Sequence, residues 1–141
     1  MKALFFILAI CVCFGFAAET KMGISYIKAI EGSRRDGKPI LIEFYAKWCL
    51  PCFEMEKTVF KDPAVIKELS NFYFVRVDTE KKEELFCEGQ TLPIADCIEL
   101  WEIDGLPAFA ILDINGSLKY LSIGAFEKST FLVFLKAIRA K

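Results

Sequence analysis

Ile40-Leu41-Ile42-Glu43-Phe44-Tyr45-Ala46-Lys47-Trp48-Cys49-Leu50-Pro51-Cys52 runs from an apolar stretch straight into two thiols three positions apart. Residues 40–46 read as a strand, and their near-continuous apolar character predicts burial on both faces, as at the centre of an α/β sheet. Pro39 can begin such a strand but not sit within it. With residues 53–60 continuing as a helix, both sulfurs lie on one face at its N-terminus. There the helix dipole and the free backbone N–H groups stabilise a thiolate. This placement makes Cys49 the nucleophile and the more exposed sulfur. Cys52, one turn further in, is set to attack a mixed disulfide and release the reduced partner. The alternatives for the pair are a static disulfide or half of a zinc site, which would need Cys87 and Cys97 to converge on it. Pro51 removes a backbone N–H near the sulfurs and stiffens the first turn, and so tunes the redox potential.

Working outward, Ile24, Ile27 and Ile30 recur at helical spacing over residues 23–35, and the polar stretch 33–38 ends that helix. Asp62-Pro63 reads as an N-cap followed by proline at the first helical position, opening a helix through residue 69. Residues 72–78 form a second strand. The segment 79–103 is polar at first, carries Cys87, Pro93 and Cys97, and is expected to be a helical or loop insertion. Residues 107–113 and 117–123 pair across an Asn115-Gly116 turn. Phe131, Phe134, Leu135 and Ile138 give a closing amphipathic helix over 128–140. The result is an α/β chain with a mixed central sheet flanked by helices on both faces.

The chain has 141 residues, enough for one domain with a real core. Its 55% hydrophobic content is partly concentrated at the start, where Lys2 precedes an unbroken apolar run over residues 3–18. Gly15 and Ala17 put small side chains where a signal peptidase inspects them, so residues 1–18 read as a cleaved signal peptide. An uncleaved membrane anchor is the alternative, although the run is short of the ~20 residues of a full span. The expected domain is residues 19–141, exported and touching a membrane only through that first segment. Removal of the signal takes Cys11 and Cys13 and leaves Cys49, Cys52, Cys87 and Cys97. In an exported protein, an even set of thiols fits disulfide chemistry. With 18 basic against 19 acidic residues, the charge balance argues against nucleic acid as a partner. The absence of histidine removes Ser/His and Cys/His catalysis and His-ligated zinc or copper sites. We expect neither a metal nor a bound cofactor.

Three separated elements agree in order and spacing: residues 43–52, Gly105-Leu106-Pro107, and the Asn115-Gly116 hairpin with Gly124 after it. On these the chain resembles the thioredoxin superfamily over nearly all of residues 19–141. It is most similar to the C-terminal, periplasmic domain of the bacterial transmembrane thiol:disulfide interchange reductases. Gly37-Lys38-Pro39 and the run from Cys52 through Phe60 to Asp62-Pro63 support that likeness. The resemblance implies a thioredoxin fold with the insertion placed before a cis-proline strand. It also implies protein substrates bearing disulfides, and electrons delivered by a separate, membrane-embedded donor.

By the same resemblance, Glu43 is a buried acid beneath the thiols that accepts a proton as Cys52 attacks; the alternative is an edge position facing water. Pro107 is the cis-proline facing the thiols, and Leu106 before it offers backbone groups to an extended substrate; the alternative is a proline that only starts a strand. Trp48 is a surface aromatic that helps partner docking, or else packs in the core. Glu54 and Glu56 read as solvated helix residues. Cys87 and Cys97, ten positions apart, are expected to form a structural disulfide worth about 2–3 kcal/mol. A second redox couple is the other reading for them. The expected function is protein-disulfide reduction, with an oxidase, an isomerase or a non-catalytic binding module as alternatives.

Overall fold

The computed structural model describes residues 23–141. The signal or anchor expected at residues 1–18 lies outside the described residues. Among those described, no helix is long and apolar enough to cross a membrane.

Helix α1 (Tyr26–Asp36) stops where Gly37 takes a left-handed φ of 77° and its N–H bonds back to the Ser33 carbonyl. A residue with a Cβ pays a steric penalty there. Strand β1 (Ile40–Tyr45) follows, then α2 (Leu50–Thr58) and α3 (Pro63–Leu69). Asp62 caps α3, its carboxylate accepting the Ala64 and Val65 N–H groups, with Pro63 opening the first turn. Strand β2 (Tyr73–Asp78) then lies parallel to β1, the two helices serving as the crossover that a parallel pair requires. After an insertion come β5 (Ala108–Leu112), β6 (Leu118–Ile123) and the closing helix α5 (Lys128–Arg139). The sheet order is β2-β1-β5-β6, with β5 antiparallel to both of its neighbours.

Alternation along β1 divides the core. Ile40, Ile42 and Phe44 join Val75, Val77, Ala108 and Ala110 on the face covered by α1. Leu41 joins Phe74, Phe109 and Ile111 on the other face, against Met55 of α2, Val65 of α3, and Phe131 and Leu135 of α5. Phe60, Phe74, Phe109 and Phe131 meet there at ring distances of 5.3–6.5 Å. Aromatic pairs in that range gain about 0.5–1.5 kcal/mol beyond their burial. The mixed sheet with both faces covered is the thioredoxin fold expected.

The insertion differs from the helical or loop excursion expected. It opens with a β-hairpin, β3 (Glu84–Cys87) and β4 (Gln90–Pro93), and only then forms helix α4 (Ile94–Leu100). Glu88 and Gly89 make the two-residue turn, both at positive φ (49° and 83°). Two-residue hairpin turns need that conformation at both positions. The Glu88 carboxylate then accepts hydrogen bonds from Trp101 Nε1 at 3.1 Å and from the Leu118 N–H at 2.8 Å, tying the turn to α4 and β6.

Candidate active site

Strand β1 delivers the chain to a short turn, and the turn delivers Cys49 to the N-cap of α2. The Cys49 N–H bonds to the Ala46 carbonyl at 3.1 Å, and the Cys49 carbonyl accepts the Phe53 N–H at 3.2 Å. Pro51 lies in the first helical turn, where a missing N–H costs no intrahelical bond. The Cys49 sulfur accepts the backbone N–H of Cys52 at 3.3 Å, which is the donor a thiolate at this position would use. Cys49 and Cys52 are joined as a disulfide, with an S–S distance of 2.07 Å.

Both sulfurs are more sheltered than expected. Cys49 is 3% exposed and Cys52 2%, so the anticipated difference between them is absent in the oxidised pair. Ala46, Tyr45 and Leu106 pack against the bridge and close it off. Around it the surface is apolar and open: Trp48, Leu50 and Phe53 are all exposed. The Leu106–Pro107 bond is cis, and the Pro107 carbonyl accepts the Gly124 N–H at 2.8 Å. A cleft of about 250 Å³ beside the bridge is lined by Trp48, Thr79, Ile98, Ile103, Asp104, Gly105 and Leu106. A larger cavity of about 580 Å³, between Tyr26, Arg76 and Leu85, has no cysteine in its lining.

Glu43 is fully buried, so the water-facing alternative does not hold. Its position alternates with Leu41 and so shares the sheet face that α2 covers. It stands opposite Arg76 of β2 in register, and Arg76 Nε donates to Glu43 Oε2 at 2.5 Å. Arg76 Nη1 also reaches Glu56 Oε2 at 3.3 Å, so Glu56 is an ion-pair partner and not merely a solvated helix residue. The guanidinium lies over the Tyr45 ring at 4.5 Å. Glu43 Oε1 and Arg76 Nη2 are buried with no protein partner. Burial pushes the Glu43 carboxyl up to about 7, against the opposing pull of Arg76. Among the described residues no hydrogen bond links Glu43 to either sulfur; its partner is Arg76.

Arg76 escaped the sequence reading. The available signal was a lone base in the otherwise apolar run Phe74-Val75-Arg76-Val77, matching the lone acid in β1. A charge in each of two adjacent buried strands is economical only as a pair.

Cys87, at the end of β3, and Cys97, within α4, are also bonded, at 2.00 Å. Both are fully buried. They lie in the α1-side cluster, whereas Cys49 and Cys52 form a separate cluster. The two pairs therefore do not converge as a four-thiolate zinc site would require.

A Thioredoxin-like family model matches residues 21–113. The chloroplastic thioredoxin-like protein HCF164 of Oryza sativa subsp. japonica is 32% identical over 102 residues, covering 72% of this chain and 34% of the rice protein. The thiol:disulfide interchange protein DsbD of Vibrio vulnificus (strain CMCP6) is 36% identical over 74 residues, covering 50% of this chain and 12% of DsbD. The chain thus spans about a third or less of these relatives' own length. The oxidised C-terminal domain of DsbD from Neisseria meningitidis superposes with a TM-score of 0.60 at 18% identity, covering 79% of this chain and 90% of that domain. At that identity the likeness establishes the fold.

Proposed function

The chain belongs to the thioredoxin-like family, and on that footing we propose that it is an exported thiol:disulfide oxidoreductase that reduces disulfides in partner proteins. One observation carries the reading: a Cys49–Cys52 bridge at the N-cap of α2, with a backbone N–H on the Cys49 sulfur, framed by exposed apolar groups and a cis-proline.

The reaction begins from the dithiol. The Cys49 thiolate attacks one sulfur of the partner's disulfide; a Cys49–partner S–S bond forms, the partner's bond breaks, and its second sulfur leaves as a thiolate. Cys52 then loses its proton, for which Glu43 is the acceptor in this reading. The Cys52 thiolate attacks the Cys49 sulfur, the mixed disulfide breaks, and the partner leaves as a dithiol. Two electrons have moved to the partner, and Cys49–Cys52 is left oxidised. A donor dithiol must restore it, and the likeness to DsbD supports a membrane-embedded donor. Leu106, beside the cis-proline, offers backbone groups to the partner's extended segment, and Trp48 offers an apolar docking surface. In this reading the domain begins after residue 18 and the first segment directs export.

Replacing Cys52 by Ala tests the sequence of steps. Cys52→Ala should accumulate a mixed disulfide through Cys49, visible as a slower band on non-reducing gels, and the added Cys49→Ala change should abolish it. Failure of Cys52→Ala to trap any partner would contradict the mechanism.

A further inference from the structure

The Cys87–Cys97 bridge has no part in the exchange just described, yet it lies one residue from the cleft. Both sulfurs are fully buried, so no partner thiol reaches them and any effect passes through what the bridge holds. It holds α4. That helix has seven residues, too few to be stable alone. Its main neighbours are β3 and β4 of its own hairpin. Cys97 fixes the middle of the helix to the end of β3, and Ile98 follows at once. Ile98 lines the cleft with Trp48, Ile103 and Leu106, and its carbonyl accepts the Ile103 N–H at 3.0 Å. Leu106 in turn packs on the reactive sulfurs.

Resting on the oxidoreductase reading, we propose that the Cys87–Cys97 disulfide is a positioning device for protein substrates: it sets the apolar wall formed by Ile98, Ile103 and Leu106 beside Trp48. A polypeptide disulfide uses that wall. A small disulfide, which needs only the sulfurs, does not. The bridge itself exchanges no electrons during turnover.

The test compares the full chain with its Cys87→Ala/Cys97→Ala double variant, using dithiothreitol as electron source. The substrates are insulin, a protein disulfide, and hydroxyethyl disulfide. The proposal expects KM for insulin to rise about tenfold with kcat within about twofold, the size of effect that loss of a well-packed apolar contact produces. Turnover of hydroxyethyl disulfide and the Cys49/Cys52 equilibrium with glutathione should stay as in the unaltered chain. An unchanged KM for insulin, or an equal loss on both substrates, overturns it. Should the double variant not fold, Ile98→Ala decides: a KM for insulin raised several-fold with kcat held supports the wall, and an unchanged KM overturns it. Inability of the unaltered chain to reduce either disulfide would remove the functional reading itself, an outcome distinct from any of these.

Discussion

Glu43 and Arg76 meet at 2.5 Å in a buried strand pair, so burial and ion pairing act on one carboxyl in opposite directions. Burial wins: the folded carboxyl titrates at about 7, against 4.5 for an unperturbed one. A raised folded value means that the folded state holds the proton more tightly. The stability this gives is fully present below about pH 4.5 and is lost as pH rises through about 7, on the order of 3 kcal/mol in all. Asp36, Asp62 and Asp113 have lowered values and act in the opposite sense, only at more acid pH. Glu43→Gln should therefore flatten stability between pH 4.5 and 7.5 in urea denaturation. It should also slow release of the partner from the mixed disulfide by about tenfold or more, if the carboxylate is the proton acceptor. Arg76→Met separates charge from packing. Stranding a buried carboxylate costs about 3–5 kcal/mol, so this variant should lose far more stability at pH 8 than at pH 5, where Glu43 is protonated. An equal loss at both values would mean that Arg76 acts by packing alone. Glu43 was legible in sequence because a charge interrupts an apolar run; its partner was not, because register between β1 and β2 is a property of the sheet.

Elements announced by strong local chemistry match the sequence reading closely. Helix α3 is one: Asp62 accepts two N–H groups and Pro63 follows it, as the dipeptide implies. Its Oδ2 also pairs with Lys128 Nζ at 3.2 Å at the start of α5. Asp62→Ala should lower stability by about 1 kcal/mol, the typical worth of a cap, seen as a shifted urea midpoint at constant m-value. A loss below a few tenths would mean that solvent replaces the cap. Strands β1, β2 and β5 were readable from apolar runs, and α5 from its helical spacing. The β3–β4 hairpin was not. Each strand is four residues long, and the turn is Glu88-Gly89 in place of the usual Asn-Gly or Asp-Gly. What justifies Glu88 at positive φ is distant: Trp101 and Leu118 both use its carboxylate. Tertiary partners decided that element, and local pattern could not reveal them. The burial of Cys49 has the same origin, since Leu106 arrives from a segment more than fifty residues away.

Across the whole molecule, one sheet brings three distant segments to a single edge: the thiol turn after β1, the cis-proline before β5 and the insertion wall on α4. The two disulfides divide the work between them. The inner bridge, sealed among Ile94, Trp101 and Phe44, belongs to the framework. The outer bridge sits at the open end of that framework beneath a rim of Trp48, Leu50 and Phe53. Thioredoxin-like couples range from about −270 mV for reductants to about −120 mV for oxidants. The most direct measurement is an equilibrium titration against glutathione, reading all four cysteines by mass after alkylation. The account predicts that Cys49 and Cys52 open and close reversibly together at a potential near the reducing end, while Cys87 and Cys97 stay joined throughout. A Cys49–Cys52 pair that never opens across that range, or whose freed Cys49 ignores protein disulfides, would contradict it.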